Sequence, residues 1–128
     1  MQFEISAVPT AQQRARHTRT GRAYKSAAQA ANERTLEALL LPHRPLWPLK
    51  GPLKLVFTAY MPIPASASKR RREAMLSGKL GHTVKPDVDN LAKQLLDAMN
   101  RLWFFDDDKQ IVELCGRKRY GENPRWVI

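Results

Sequence analysis

Hydrophobic and polar positions alternate at the start of the chain. Phe3, Ile5 and Ala7 face polar neighbours until Pro9, which predicts a short half-buried strand over 2–9. The pattern then lapses: TAQQRARHTRTGRAYK carries Arg14, Arg16, Arg19, Arg22 and Lys25 with almost no large apolar side chain, so it is expected to form a basic loop or arm. From Ser26 to Leu41 the alanines with Leu36, Leu39 and Leu40 predict a helix that Pro42 ends. The Pro-rich connector HRPLWPLKGP leads into LKLVFTAYMP, where Leu53, Leu55, Phe57 and Ala59 oppose Lys54, Val56, Thr58 and Tyr60, the clearest strand in the sequence.

SASKRRREAMLSGKLG predicts a basic helix closing near Gly78 or Gly81. From Asn90 to about Leu102, the residues Leu91, Leu95, Ala98, Met99 and Leu102 recur at helical spacing, and Asp89 or Asn90 suits the N-cap. KQIVELCGRKRY follows as a strand, with Ile111, Glu113 and Cys115 opposite Val112 and Leu114, and RWVI starts another after the turn YGENP. These elements describe an α+β chain of one domain spanning 1–128, with a mixed sheet and two to three helices. No internal repeat or second-domain boundary interrupts it, and 128 residues suffice for one core.

Composition adds a partner. The chain has 22 Lys and Arg against 12 Asp and Glu, a charge of +10, which favours a polyanion such as nucleic acid. The distribution is uneven: between Pro86 and Glu113 seven acids meet three bases, so this stretch carries −4 and the remainder +14. A protein that only coats phosphate gains nothing from an acidic island, whereas a nuclease needs bases to hold the backbone and acids to hold a metal that attacks it. Arg14, Arg16, Arg19, Arg22, Lys69, Arg70, Arg71 and Arg72 are the candidate phosphate contacts.

Cys115 alone forms neither an intrachain disulfide nor a zinc site, and no secretory pattern is present, so a reducing cytoplasm is the expected home. The apolar runs are too short or interrupted to span a bilayer, so no membrane helix is expected. No EF-hand, P-loop, G-x-S-x-G or paired-Cys motif occurs, and His17, His43 and His82 are scattered.

Chemistry concentrates in KPDVDNLAKQLLDAMNRLWFFDDDKQ. Asp87 and Asp89 stand two apart in a segment that Pro86 helps keep extended, and Lys93 lies one helical turn beyond Asp89. The second acidic group, Asp106 to Asp108, follows Trp103-Phe104-Phe105, an apolar anchor for a turn. A helix of about 12 residues is ~18 Å long, so the groups meet only if the chain folds back along it. Two carboxylates about 4 Å apart repel by about 4 kcal/mol at an effective dielectric near 20. A cation relieves this, and oxygen-only ligands beside a phosphate suit Mg²⁺ better than zinc. Structural roles also fit each residue singly: Asp89 as a cap, Lys93 paired with Asp97 at i,i+4, and DDD as a polar turn.

KPDVDNLAKQLLDAM followed by FDDDKQIVEL resembles the RusA family of Holliday-junction resolvases, often carried by prophages, whose pattern is P-D-x-D-N-L-x-K-x-x-x-D-A-[LM], a spacer, then D-D-x-Q-[IV]. The matching positions are Pro86, Asp87, Asp89, Asn90, Leu91, Lys93, Asp97, Ala98, Met99, Asp107, Asp108, Gln110 and Ile111, and the match covers about 85–113. The opening strand, the basic arm and the pre-motif helix match the family more loosely. The chain also stops at RWVI, where related sequences usually continue a strand, as in a short or trimmed member.

The resemblance implies a RusA-like fold and a homodimeric Mg²⁺-dependent endodeoxyribonuclease, with Mn²⁺ able to substitute. It implies action in DNA recombination and repair by paired nicks in four-way junctions, with no small-molecule cofactor. It carries the metal ligands to Asp87, Asp89 and Asp108, with Asp107 the second choice for the last, and the catalytic lysine to Lys93. Asp106 has no counterpart in the family's acidic pair. The strand at 53–59 and the helix from Leu91 are the candidate dimer cores. Two rival readings stand beside this one: a non-catalytic basic nucleic-acid-binding protein whose acidic turn is structural, and a nuclease preferring flap DNA or RNA.

Overall fold

A computed structural model describes residues 1–13 and 15–128; Arg14, one of the candidate phosphate contacts, lies outside the described residues. The strands and helices are β1 (Glu4–Ile5), β2 (Arg16–His17), β3 (Ala23–Tyr24), α1 (Ala27–Leu40), β4 (Leu53–Pro62), α2 (Lys69–Ser77), α3 (Val88–Arg101), β5 (Ile111–Gly121) and β6 (Arg125–Val127). Strands in the order β1-β6-β4-β5 form a mixed sheet, and β2 pairs with β3 in a separate hairpin. β5 runs parallel to β4 along its whole length, while β6 is antiparallel to both β4 and β1. Two helices lie between β4 and β5, which is the length of connection a parallel return requires. The α+β mixed sheet expected from the sequence is therefore present.

Side chains fix the helix ends. Ser26 Oγ accepts from Gln29 N (3.1 Å) to start α1, and Ser68 Oγ accepts from Arg71 N (3.2 Å) to start α2. Gly78, at φ 83°, closes α2 in the left-handed conformation that a residue with a Cβ adopts at a cost. α3 begins two residues earlier than expected: Asp87, extended at φ −75° and ψ 145°, takes the cap position in place of Asp89 or Asn90.

The apolar stripe of α3 explains its stability. Leu91, Leu95 and Ala98 are fully buried with Leu36 and Leu40 of α1 and Leu55, Phe57, Ala59 and Met61 of β4. Each large side chain so buried contributes roughly 1.5–3 kcal/mol. Most apolar side chains of both candidate dimer cores pack inside the chain, Val56 (43%) excepted, while β5, whose outer edge pairs with no other strand among the described residues, exposes Val112 (71%) and Leu114 (49%).

Three elements differ from expectation. The opening strand is only Glu4–Ile5, paired to β6. The basic arm is a hairpin, closed by Thr18 N to Arg22 O (2.9 Å), because backbone pairing requires no apolar side chains. Trp103 does not join the apolar anchor: it ends α3 at φ 61° and is 59% exposed, while Phe104 and Phe105 are buried. No helix among the described residues is long and apolar enough to cross a membrane.

Candidate active site on the third helix

α3 is amphipathic, and the face away from the core carries the expected chemistry. Asp89, Lys93 and Asp97 recur every four residues, one turn apart on one side of the helix. Asp87 precedes them at the cap position, yet its carboxylate makes no capping hydrogen bond, so it is not consumed by the helix end. The sheet lies close beneath this end, since a Cβ added to Gly116 of β5 would come within 3.2 Å of Val88 Cγ2. The middle of β5 thus passes beneath the start of α3, and the acidic turn that precedes β5 contacts the same helix, with Asp97 within electrostatic reach of Asp108.

That turn sorts its three aspartates. Lys50 Nζ binds Asp106 Oδ2 at 2.6 Å. Asp107 caps a single 3₁₀ turn over Asp108–Gln110 by accepting from Lys109 N at 2.9 Å. Gln110 clamps the whole turn: its Oε1 accepts from Asp106 N (2.9 Å) and Asp107 N (3.0 Å), and its Nε2 donates to Leu49 O and Gly51 O, each at 3.1 Å. Among the described residues, Asp108 has no Arg or Lys nitrogen within 4.0 Å. Its carboxyl is held above the ordinary range first by a hydrogen bond shared with Asp107, then by desolvation and by repulsion from Asp107 and Asp97. Asp107 is held below its ordinary range by the Lys109 N–H and by the same shared bond. Gln110→Ala should loosen this clamp and weaken metal affinity by about tenfold, measured by calorimetry.

The ion pairs of the whole chain make this contrast general. Glu4, Glu33, Glu37, Asp106, Glu113 and Glu122 each lie within 4.0 Å of an Arg or Lys nitrogen. Among the described residues, Asp87, Asp89, Asp97, Asp107 and Asp108, together with Glu73 on α2, have no such partner, in a chain with an excess of ten cations, and Lys93 makes no ion pair with Asp97. No three of these carboxylates converge closely enough among the described residues to cage an ion by themselves. The arrangement is instead two acidic groups, Asp87 with Asp89 at the start of α3 and Asp107 with Asp108 in the turn that contacts the same helix, the second within electrostatic reach of Asp97. The donors fit a hard divalent cation, which binds through one or two carboxylates and completes its shell with water and phosphate oxygens.

Residues near the N-terminus wall the site. Gln12 N donates to Asn90 O (3.1 Å) and Gln13 N to Gln29 Oε1 (3.0 Å), which ties the root of the basic hairpin to α3 and α1. A cleft of about 780 Å³ between these segments is lined by Thr10, Gln12, Lys85, Asp87 and Asn90. A second cavity of about 270 Å³ exposes Lys93 beside Lys25 and Glu33. Beneath it, Gln29 Nε2 donates to both Glu33 Oε1 (3.0 Å) and Gln94 Oε1 (2.9 Å), all three residues being buried. Burial alone would raise the Glu33 carboxyl, but hydrogen bonds from Lys25 and Gln29 and the charge of Arg101 hold it below the ordinary range.

The remaining candidates are peripheral to α3. Arg16, Arg19 and Arg22 lie on the exposed hairpin, and Lys69, Arg70 and Arg71 are exposed on α2, whereas Arg72 is half-buried and reaches Glu122 at 3.6 Å. Sequence reasoning had given no site role to Asp97, Gln110, Gln29, Glu33 or Gln94. The i,i+8 spacing of Asp97 from Asp89 signals a shared face, but nothing local distinguishes Gln29 or Glu33 from other polar helix residues.

A basic α+β fold with unneutralised carboxylates on one helix and a cationic hairpin rooted beside them has the makings of a phosphodiester-cleaving enzyme. The family model for endodeoxyribonuclease RusA matches residues 4–128, and the chain belongs to that family of nucleases. It is 36% identical over 133 aligned positions to the uncharacterized protein YqaN of Bacillus subtilis (strain 168), covering 100% of this chain and 93% of that one. It is 31% identical over 130 positions to the crossover junction endodeoxyribonuclease rusA of Lactococcus phage r1t, covering 99% and 92% respectively.

Proposed function

We propose that the protein resolves four-way DNA junctions in recombination and repair by Mg²⁺-dependent nicking, acting as a homodimer in the cytoplasm. One observation carries the metal reading: among the described residues, every aspartate but Asp106 stays unpaired amid a large cationic excess, and these five lie on or beside α3, whereas Glu73 of α2 is the one glutamate without a basic partner. Asp87, Asp89 and Asp108 are the residues that would hold the ion, with Asp107 as an auxiliary carboxylate. When bound, a divalent cation supplies charge neutralisation at the phosphate and lowers the pKa of water. Lys93, exposed on the same face, contributes a fixed cation where charge accumulates on the scissile phosphate. The substrate assignment rests on the family and on the name of the phage relative.

A junction is approximately two-fold symmetric, so two copies related by a two-fold axis present one site to each of two opposed strands. The exposed hairpin and α2 hold the backbone. If six of their cations reach phosphates, junction affinity should fall about 10³-fold between 50 and 200 mM salt. A flat response in a fluorescence-anisotropy titration would remove the electrostatic part of this reading.

Cleavage of matched junction, flap, duplex and RNA substrates in Mg²⁺ tests the whole. Paired nicks confined to the junction are expected. A preference for flap DNA or RNA would reassign the substrate, and binding without cleavage, with no Mg²⁺ heat in calorimetry, would leave only a nucleic-acid-binding protein.

A further inference from the structure

The segment that delivers Asp87 to the site belongs to no helix or strand. Among the described residues no backbone–backbone hydrogen bond ties residues 81–86 to the rest of the protein. Asp87 itself has no side-chain bond to the helix end, so the direction of its carboxylate depends on the backbone that enters α3. Among the described residues, one side chain hydrogen-bonds to that backbone. Lys118 Nζ donates to Val84 O at 3.0 Å and to Pro86 O at 2.8 Å.

Lys118 is well placed to act as a fixed point. It lies on β5 in register with Ala59, a fully buried residue of the central strand β4. Tyr120, two residues on, packs against His82 with ring centroids 4.8 Å apart, which closes the other end of the same segment. A charged ammonium shared between two carbonyls is a strong and directional tether, because each bond is charge-assisted. With two of its three protons committed to carbonyls, this ammonium is poorly disposed to grip phosphate as the free cations of the hairpin do.

We infer that Lys118 is a positioning residue for the metal site: by pinning the carbonyls of Val84 and Pro86 it orients Asp87 and sets the affinity for the divalent ion. The inference rests on the assignment of Asp87 as a ligand. Groups that orient ligands from outside the coordination sphere typically change metal affinity by about 10–100-fold when removed.

The test compares wild type, Lys118→Met and Lys118→Arg, the last replacing the ammonium with a guanidinium whose N–H groups can still serve both carbonyls. Mg²⁺ affinity is measured by calorimetry, junction binding by anisotropy in metal-free buffer, and folding by thermal melting. For Lys118→Met the expected result is Mg²⁺ binding weakened about tenfold or more, with metal-free junction binding changed less than about twofold. Its cleavage should fail at limiting Mg²⁺ and recover at saturating Mg²⁺, and Lys118→Arg should keep most of the affinity. Should Lys118→Met not fold, Lys118→Gln makes the same comparison. Unchanged Mg²⁺ affinity overturns the inference, as does weakened junction binding with metal affinity intact, which would make Lys118 a phosphate contact. If wild type itself gives no Mg²⁺ binding, the metal reading fails and this inference with it; if wild type binds and Lys118→Met binds equally, only this inference falls.

Discussion

Asp108→Asn and Asp87→Asn are each expected to lower junction cleavage by about 10³-fold or more while leaving junction binding intact or tighter. Asn preserves shape and removes one negative charge. A ligand that no longer neutralises the ion loses the several kcal/mol that metal coordination contributes to charge stabilisation at the phosphate. Binding moves the other way, since one less carboxylate faces the polyanion. Asp106→Asn is the internal control: Asp106 lies in the same acidic run but is already satisfied by Lys50 at 2.6 Å, so its loss should leave cleavage within a few-fold of wild type. Single-turnover cleavage and anisotropy on the three variants read both effects. Wild-type cleavage by Asp87→Asn in Mg²⁺ would remove Asp87 from the site, and a silent Asp108→Asn beside an inactive Asp106→Asn would shift the register of the acidic turn.

How much of this was legible beforehand depends on how far each residue's role is set by its neighbours in sequence. α1 and β4 declare themselves through period and caps, and both have nearly the expected bounds. The hairpin over 16–24 was not legible because its pairing is made by backbone groups, which any residues supply. The residues of the motif were legible as a group, but the sorting of Asp106, Asp107 and Asp108 was not. It depends on Lys50 and on the carbonyls of Leu49 and Gly51, which lie more than fifty positions away in sequence. The same holds for Lys118, one basic residue in GRKRY until β5 carries it beneath residues 84–86. Sequence names the groups that can do chemistry; tertiary contacts decide which of them remain free to do it.

Gly116→Ala is the second variant with a large expected effect, because it joins the core to the site. A Cβ at this position would lie 2.5 Å from Phe57 Cζ, 2.7 Å from Phe57 Cε1 and 3.2 Å from Val88 Cγ2. Phe57 has little room to yield, being 1% exposed and packed against Trp126 at a centroid distance of 5.7 Å. Overpacking of this kind costs about 1–3 kcal/mol, only partly offset by the lower entropy of an unfolded Ala. The melting temperature should fall by about 4–12 °C for a chain of this size. The alternative to moving Phe57 is moving Val88, which stands between Asp87 and Asp89, so relief of the clash displaces both carboxylates. A shift on the order of 1 Å at such groups costs about 10²-fold in rate. Gly81→Ala provides the contrast, since nothing lies within 4 Å of its added Cβ, and its melting should match wild type. A Gly116→Ala protein that melts and cleaves normally would mean that the start of α3 is not seated on β5 as closely as this contact requires.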